Sequence, residues 1–331
     1  MQTLTEIRAL LEQFGLAPQK RLGQNFLFDQ NLLTKIVELA ELTGQETLLE
    51  VGPGTGSMTE ELLAKAGRVV AVEIDKGLHR LLESRLGERP NFTLLHTDVL
   101  AGKHEIEPAV LAALGQQAVM VANLPYNVAT PLIAQCLVSS WRSIQPEGSP
   151  ARQLPHCLFT RLIFLVQAEV ADRFAAGPDS PLYGPVSVIT SLLGQTRYGP
   201  LVPNTSFWPK PQVVSRIVRV DFDAERARQV LDIPALKALL SICFNQRRKQ
   251  LASVARRKHS AFDPDELLAA LDAAGIERTM RAEEVTPEQF LQAANQLAGK
   301  AKPLGGFDPA QLNAEVAEES EQDKEDTDAG L

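Results

Sequence analysis

The sequence has few cysteines and no long apolar run, and each shortage excludes a class of protein. Its 331 residues include three cysteines and five histidines. Cys136, Cys157 and Cys243 are odd in number and far apart, which argues against a disulfide framework or a thiolate metal site. The histidines lack the spacing of metal ligands, so we expect a protein without a metal. No apolar run reaches membrane-spanning length, and residues 1–16 lack the pattern of a signal peptide, so we expect a cytoplasmic protein.

An excess of positive charge, common in nucleic-acid-binding proteins, is also missing. The net charge is −8, from 33 Lys and Arg against 41 Asp and Glu. From Asp308 onward there are nine acidic residues and one lysine, which leaves 32 basic and 32 acidic residues in 1–307. We interpret 306–331 as an acidic disordered tail. Its charge is either solvated filler or a screen that keeps wrong partners from a basic surface.

Apolar strand-like runs alternate with helical patterns through the first two thirds of the chain, which predicts repeated βαβ units and a mostly parallel sheet. We predict strands at Thr47–Val51, Val69–Ile74, Thr93–Thr97, Ala118–Ala122 and Leu158–Val166. We predict helices at Asn31–Leu42, Met58–Ala66, Leu78–Leu86, Pro131–Val138 and Ala168–Ala176. The runs Gln195–Val202 and Val214–Phe222 could form a closing antiparallel pair, and Ser139–Pro155 resembles a surface loop.

The region from Ile233 to about Gly299 has a helical pattern only. From Ile233, apolar residues recur at spacings of three and four: Leu236, Leu239, Leu240, Cys243 and Phe244. This pattern predicts a small helical domain that extends to about Gly299. We therefore divide the chain into 1–226, 227–305 and 306–331.

A glycine-rich segment follows the first predicted strand and leads into a helix. In Glu50-Val51-Gly52-Pro53-Gly54-Thr55-Gly56, the glycines permit a tight turn and close approach of a ligand to the backbone, although a plain turn is about as common. The next strand ends in acid, and Glu73 comes 21 residues after Gly52, near the spacing of a ribose-binding carboxylate. Asp98 follows the third strand, where it is either a turn residue or another site carboxylate.

The segment Asn123-Leu124-Pro125-Tyr126 closes the fourth apolar run. An Asn-x-Pro segment is most often a turn. In open α/β sheets, however, the carboxyl ends of the strands are where ligands bind. The amide of Asn123, the stiff Pro125 and the aromatic face of Tyr126 together suit a flat, amine-bearing base.

Basic residues are concentrated in one stretch of the helical region. Between Phe244 and His259 no acid interrupts Arg247, Arg248, Lys249, Arg256, Arg257 and Lys258. A solvated helix face is one explanation, and binding to RNA phosphates is the other. Lys20 and Arg21 are candidates to extend the same surface.

The chain resembles the ribosomal RNA adenine N6,N6-dimethyltransferases, the family of the bacterial 16S enzyme, over roughly 18–298. Six segments carry the resemblance: Lys20-Arg21-Leu22-Gly23-Gln24-Asn25-Phe26-Leu27, the glycine segment, Val72-Glu73-Ile74-Asp75 with Asp98, Asn123-Leu124-Pro125-Tyr126, Phe207-Trp208-Pro209-Lys210-Pro211-Gln212-Val213-Val214-Ser215 and Phe244-Asn245-Gln246-Arg247-Arg248-Lys249.

The resemblance implies a Rossmann-like α/β methyltransferase domain that uses S-adenosyl-L-methionine, followed by a small α-helical RNA-binding domain. It implies that Asn25, Leu27 and Gly54 contact the cofactor, with Gly52 at its methionine part. It further implies that Glu73 binds the ribose, Asp98 the cofactor adenine, and that Asn123 lies where cofactor and target base meet. Phe26 is either a core residue or a wall of the target pocket.

The implied reaction is methyl transfer to N6 of two adjacent adenosines in the 3′-terminal hairpin loop of 16S rRNA, within the small subunit or its precursor, by a monomer. Asn123 Oδ1 and the Leu124 carbonyl would accept the amine hydrogens, and Tyr126 would stack on the base. The chain departs from the family in having Ala168 where Lys is usual. Two alternatives remain: a 23S adenine methyltransferase of the macrolide-resistance type, and a non-enzymatic small-subunit assembly factor.

Overall fold

The computed structural model describes residues 2–102, 105–259 and 261–301, without the side chains of Tyr126 and Asn127. The predicted tail, 306–331, lies outside the described residues. The described chain divides into two compact units. The first contains 2–101, 105–175 and 193–228, and the second contains 102, 176–192 and 229–301.

The strands and helices follow in chain order. The strands are β1 (Phe26–Leu27), β2 (Thr47–Val51), β3 (Arg68–Val72), β4 (Phe92–Leu95), β5 (Leu100–Ala101), β6 (Glu105–Ile106), β7 (Gln117–Asn123), β8 (Leu158–Gln167), β9 (Gly194–Val202), β10 (Phe207–Trp208) and β11 (Ser215–Phe222). The helices are α1 (Leu4–Gln13), α2 (Gln30–Leu39), α3 (Ser57–Lys65), α4 (Lys76–Leu86), α5 (Pro108–Leu114), α6 (Tyr126–Ser143), α7 (Pro150–Gln153), α8 (Ala168–Arg173), α9 (Pro185–Leu193), α10 (Ala224–Ala227), α11 (Ile233–Phe244), α12 (Leu251–Ala255), α13 (Pro264–Ala273) and α14 (Pro287–Gln296).

The first unit is built around a seven-stranded sheet in the order β4-β3-β2-β7-β8-β11-β9. The five strands from β4 to β8 are parallel, whereas β11 is antiparallel to both β8 and β9. The Rossmann-like fold with a closing antiparallel pair is therefore confirmed. Since β2 lies between β3 and β7, the carboxyl ends of these three strands are neighbours at one edge of the sheet.

Each predicted strand of the parallel sheet is present, with ends within two residues of the prediction. The central strands are buried on both faces by helices, so they are apolar along their length: Val69, Val70, Ala71, Met120 and Val121 are fully or almost fully buried. This continuous apolar character is why the sequence pattern located them.

The prediction of a loop over Ser139–Pro155 is wrong for its first part. Helix α6 continues to Ser143, and Trp141 is only 3% exposed. The two serines that made the stretch look polar are buried within hydrogen bonds: the Ser139 hydroxyl donates to the Cys157 carbonyl and the Ser140 hydroxyl to the Cys136 carbonyl, both at 2.9 Å. A buried serine whose hydroxyl is bonded to the backbone is compatible with a helix.

The second unit contains α11 to α14, and the apolar stripe predicted on α11 is buried. It also contains 176–192, which the sequence analysis placed in the first domain. Tyr183 explains the difference: its side chain is 1% exposed and its hydroxyl donates to the Val285 carbonyl at 2.8 Å. The Asp179 N–H donates to the Glu283 carbonyl at 2.9 Å. These long-range bonds join segments about a hundred residues apart, which local patterns do not report.

Among the described residues, no helix has the length and apolar character needed to cross a membrane. Within the same residues, no cluster of three or more His, Cys, Asp or Glu side chains has an arrangement that could hold a metal ion.

Candidate active site

One cavity in the first unit opens at the carboxyl ends of β2, β3 and β7. Most of the predicted site residues line it: Arg21, Asn25, Leu27, Gly52, Gly54, Glu73, Asp98, Asn123, Leu124 and Pro125. Lys20 is exposed in the short helical turn next to Arg21. Tyr126 begins α6, but its side chain lies outside what the structure describes.

The glycine segment forms a turn between β2 and α3 that only glycine tolerates well. Gly52, Gly54 and Gly56 have φ values of +66°, +63° and +86°, in the left-handed region. At Gly52 an added Cβ would meet no atom within 4 Å, whereas at Gly54 it would lie 3.1 Å from the Phe26 ring. The turn therefore gives a ligand close access to backbone at Gly52 while it packs against Phe26 at Gly54.

Glu73 is buried at the end of β3 and is held by backbone donors. It is 4% exposed, and its Oε1 accepts from the Asp75 N–H at 2.8 Å while Oε2 accepts from the Gly54 N–H at 3.4 Å. Burial raises the pKa of the Glu73 carboxyl to about 7, although these backbone bonds favour its ionised form. This arrangement fixes an acceptor group beside the glycine turn.

Glu50 is a second buried carboxyl at the same site, and the sequence analysis gave it no role. It is fully buried and lines the cavity. Neither of its oxygens makes a hydrogen bond of good geometry within the described part of the chain, although the Thr59 side chain lies close enough to favour the ionised form. Burial raises the pKa of the Glu50 carboxyl to about 8, and the nearby charge of Glu73 contributes to the increase. An acid that opens a glycine segment is the sequence signal that could have identified this residue.

Asn123 is fixed by a contact with the amino-terminal segment. Its Nδ2 donates to the Asn25 carbonyl at 3.1 Å. Because a carbonyl can only accept, this bond determines which end of the Asn123 amide faces Asn25, and it leaves Oδ1 as the acceptor for another group. The Leu124 N–H donates to the Leu165 carbonyl at 3.2 Å, which fixes the next peptide as well.

Asp98 is exposed in the cavity after β4. Its Oδ1 accepts from the Leu100 N–H at 3.0 Å, so it is a turn residue. Since that bond engages one oxygen, the carboxylate also supplies an acceptor to the cavity. Both interpretations that the sequence left open are thus compatible with its position.

Asp75 anchors the segment that contains the predicted cofactor residues, a role that sequence reasoning missed. Its Oδ2 accepts from Gln19 Nε2 at 2.6 Å and from Gln24 Nε2 at 2.9 Å, while Oδ1 caps α4 through the Gly77 and Leu78 N–H groups. One carboxylate therefore orders both a helix and the chain that precedes Asn25.

Phe26 belongs to the core as well as to the cavity wall. Its side chain is 7% exposed, packs with Ile7, Leu11 and Leu78, and stacks on Trp208 with ring centroids 6.4 Å apart. Strand β1, which contains it, pairs antiparallel with β10. The segment Phe207–Trp208 thus holds the amino-terminal wall of the cavity.

The basic residues predicted to bind RNA fall into two groups within the second unit. Lys249, Arg256, Arg257 and Lys258 are exposed, as is Arg248. Arg247 is instead half-buried: its guanidinium bonds Glu283 Oε2 at 2.8 and 3.1 Å and the Pro181 carbonyl at 3.1 Å. The expectation that all six charges are unopposed is therefore wrong for Arg247, because its acidic partner comes 36 residues later in the sequence.

Position 168, where the family usually has Lys, lies at the start of α8. The Ala168 N–H donates to the Val214 carbonyl at 3.0 Å. This bond uses the backbone alone, so it does not depend on the missing lysine side chain.

The polar groups of the cavity fit the cofactor that the resemblance implies. The cavity combines a glycine turn with open space at Gly52, the fixed carboxyl of Glu73 and the orphaned carboxyl of Glu50. Buried carboxyl groups suit a ligand that carries positive charge, and fixed acceptors suit its hydroxyl and amine groups.

Comparison with known proteins finds a matching family profile and similar sequences. The sequence profile of the family described as "Ribosomal RNA adenine dimethylase" matches residues 16–299. A protein of Rhodococcus erythropolis named "Ribosomal RNA small subunit methyltransferase A" is 39% identical, over 87% of this chain and 91% of its own length. A protein of the same name from Magnetococcus marinus is 37% identical, over 87% and 95%.

Solved structures share the fold. A dimethyladenosine transferase from Plasmodium falciparum has a TM-score of 0.63 at 21% identity, and covers 83% of this chain and 98% of its own. The 23S rRNA methyltransferase ErmE has a TM-score of 0.55 at 26% identity, and covers 82% and 99%.

Proposed function

Because the chain belongs to the ribosomal RNA adenine dimethylase family and so uses S-adenosyl-L-methionine to dimethylate adenine in ribosomal RNA, we propose that its targets are two adjacent adenosines in the 3′-terminal hairpin loop of 16S rRNA. The relatives named for the small subunit support this choice over 23S rRNA. Chemistry on a base requires it to leave its stack, which costs less in an RNA loop than in a duplex. The substrate is the small subunit or its precursor.

The observation that carries the proposal is the fixed amide of Asn123. The exocyclic amine of adenine is a poor nucleophile because its lone pair is delocalised into the ring. Asn123 Oδ1 and the Leu124 carbonyl would accept its two hydrogens and so favour a pyramidal nitrogen with a localised lone pair. The bond from Asn123 Nδ2 to Asn25 holds the side-chain acceptor before the base arrives. The bond from the Leu124 N–H to Leu165 fixes the peptide that precedes the Leu124 carbonyl.

The remaining residues of the cavity would position the cofactor. The Glu73 carboxylate would accept from the ribose hydroxyls, Asp98 from the adenine amine, and the backbone at Gly52 would contact the methionine part. Asn25 and Leu27 would close the cavity from the amino-terminal segment. When bound, S-adenosylmethionine supplies a methyl group that is already activated on a sulfonium.

Tyr126 would stack on the target base, and Pro125 would hold the chain between acceptor and aromatic ring. The exposed basic residues of the second unit would contact RNA phosphates together with Lys20 and Arg21: Arg248, Lys249, Arg256, Arg257 and Lys258. Because the methyl group needs no Lewis acid, we include no metal. We further propose that the protein acts as a monomer on its ribosomal substrate in the cytoplasm.

Mass spectrometry of small-subunit RNA tests the proposal. Purified protein and S-adenosylmethionine should add two methyl groups to each of two adjacent adenosines in the 3′ fragment of unmodified 16S rRNA. Asn123→Ala should reduce methyl transfer at least a hundredfold, the effect typical of removing a fixed transition-state acceptor, which is about 3 kcal/mol. Asn31→Ala, an exposed asparagine on α2, is the matched control and should transfer normally.

Three other outcomes would contradict the proposal. Methylation of 23S rather than 16S rRNA would identify the related activity of the ErmE type. Particle binding without any transfer would identify an assembly factor. Unchanged transfer by Asn123→Ala would remove Asn123 from the reaction.

A further inference from the structure

Gln2 makes three hydrogen bonds to the glycine turn, although it lies more than fifty residues away in sequence. Its N–H donates to Ser57 Oγ at 3.0 Å and its Nε2 to the Thr55 carbonyl at 2.9 Å, while its Oε1 accepts from Thr55 Oγ1 at 2.6 Å. All three residues are buried, and Gln2 itself is 4% exposed. The side-chain amide of Gln2 is therefore buried and hydrogen-bonded at both its nitrogen and its oxygen, unlike that of a solvated residue near a terminus.

Thr55 is the part of the turn that most needs support. It lies between Gly54 and Gly56, whose φ values are both in the left-handed region. Glycines lose much conformational freedom when a turn is ordered, so a turn flanked by them is costly to hold in one conformation. Ser57 begins α3, and Gly56, the cap residue, offers no side chain to the first turn of that helix.

The contact lies at the cavity. Thr55 and Ser57 both line it, next to the open side of Gly52. Arg85 also donates to the Thr55 carbonyl and is paired with Glu60 of α3, so that carbonyl accepts from two separate elements. The peptide at Thr55 is thus held in place from outside the cavity before any ligand enters.

We propose that Gln2 is a positioning residue for cofactor binding, which holds Thr55 and Ser57, and with them the glycine turn, in the conformation that receives the cofactor. A loop that is already ordered binds its ligand more tightly, because no conformational entropy of the loop is lost when the ligand binds. The match to the family profile begins at residue 16, so family membership does not assign this role to Gln2. The inference rests on the proposed use of the glycine turn as the cofactor site.

Isothermal titration calorimetry of the full chain with S-adenosylmethionine and with S-adenosylhomocysteine tests the inference. Gln2→Ala should weaken the binding of both ligands about tenfold, because it removes two side-chain hydrogen bonds from a buried site. Gln2→Glu keeps the side-chain volume but removes the donor to the Thr55 carbonyl, so it should also bind weakly. In methyl transfer, the KM for the cofactor should rise about tenfold while kcat at saturating cofactor stays unchanged.

Thr3→Ala is the matched control. Thr3 is the next residue and caps α1 through a reciprocal contact with Glu6, without a bond to the glycine turn. It should lower the melting temperature yet keep both dissociation constants within about twofold of the unsubstituted chain.

These measurements distinguish a failure of the role proposed for Gln2 from a failure of the proposed function. Unchanged affinity in Gln2→Ala, or an equal loss of affinity in Thr3→Ala, would overturn the role of Gln2. Wild-type-like binding by Gln2→Glu would assign the effect to packing and overturn it as well. Failure of the unsubstituted chain to bind S-adenosylmethionine would instead contradict the proposed function.

Discussion

Glu50 has the higher pKa of the two buried carboxyl groups at the cavity, Glu50 and Glu73. Its carboxyl is fully buried without a hydrogen-bond partner in the described residues, and burial raises its pKa to about 8. The folded chain therefore holds a proton at Glu50 that the unfolded chain releases near the ordinary value of 4.5. Since the folded state binds more protons over this interval, the free energy of unfolding should fall as the pH rises from about 4.5 to 8.

Glu50→Gln should flatten this dependence. The amide has the shape of the protonated carboxyl and cannot ionise, so the cofactor-free variant should exceed the unsubstituted chain in stability at pH 8 by on the order of 2 kcal/mol. Urea denaturation at pH 5 and pH 8 measures the difference. Glu88→Gln, an exposed position, should leave the slope unaltered. Equal slopes for Glu50→Gln and the unsubstituted chain would contradict the assignment of the buried proton to Glu50.

At the scale of residues, the sequence predicted which residues line the site but not the hydrogen bonds that fix those residues in place. Gly52, Glu73 and Asp98 follow strands and Asn123 ends one, and parallel strands bring such residues to one edge of the sheet. The supports of the site could not be predicted in this way. The bond from Asn123 to Asn25 spans 98 residues and that from Gln2 to Thr55 spans 53, and no local pattern encodes either.

At the scale of elements, the segment 247–258, which begins after α11 and extends just beyond α12, contains two kinds of basic residue. Arg247 is bound to Glu283 and to the Pro181 carbonyl, so it joins parts of the second unit. Lys249, Arg256, Arg257 and Lys258 are exposed. A run of like charge in the sequence does not distinguish the two kinds, because the acid that pairs with Arg247 lies on a different element.

Two sets of substitutions should separate these roles. Replacement of Lys249, Arg256, Arg257 and Lys258 by Ala should reduce the slope of log affinity for RNA against log salt by roughly three, since each phosphate contact contributes about 0.7 to 0.9. Arg247→Ala should instead reduce the slope by less than one unit and lower the stability of the second unit by about 1 kcal/mol, because a half-buried pair is broken. Filter binding over a salt series and thermal unfolding measure the two quantities.

The reverse pattern would contradict this division. A large loss of slope in Arg247→Ala, with an unaltered slope in the fourfold variant, would assign phosphate contact to Arg247 and a solvated helix face to the others.

Helix and strand positions were largely predictable because periodicity is local. Strand β2 has the predicted bounds, Thr47–Val51. Helix α6 was predicted too short because Pro131 lies inside it and its serines are satisfied by distant backbone. Helices α1 and α5 and the short pair β1 and β10 were not predicted at all.

At the scale of the whole molecule, charge is divided unevenly along the chain. Residues 308–331 carry all of the net charge of −8, and 1–307 are neutral in sum. Removal of 308–331 should raise the affinity for RNA of any sequence severalfold at low ionic strength, because the acidic segment repels phosphate.

The effect should vanish at high salt, where long-range repulsion is screened. A chain of full length in which the nine acids of 308–331 are changed to Asn and Gln is the matched control, and it should behave as the truncated chain does. Fluorescence anisotropy with an unrelated RNA measures the change. An affinity that is equal in all three chains at low salt would contradict the repulsion.

Because β1 pairs with β10, the wall of the cavity cannot be complete until a late part of the chain has been synthesised. The wall of the cavity at Phe26 and Leu27 pairs with Trp208 and Phe207, about 180 residues further along the chain. Such distant partners make folding slow, because a long loop must close before the contact forms. A nascent chain that ends before Phe207 has every glycine and carboxylate of the cavity but lacks the strand that holds its wall. The ribosome therefore has to translate most of this chain before the chain can form the complete cavity of an enzyme that modifies ribosomal RNA.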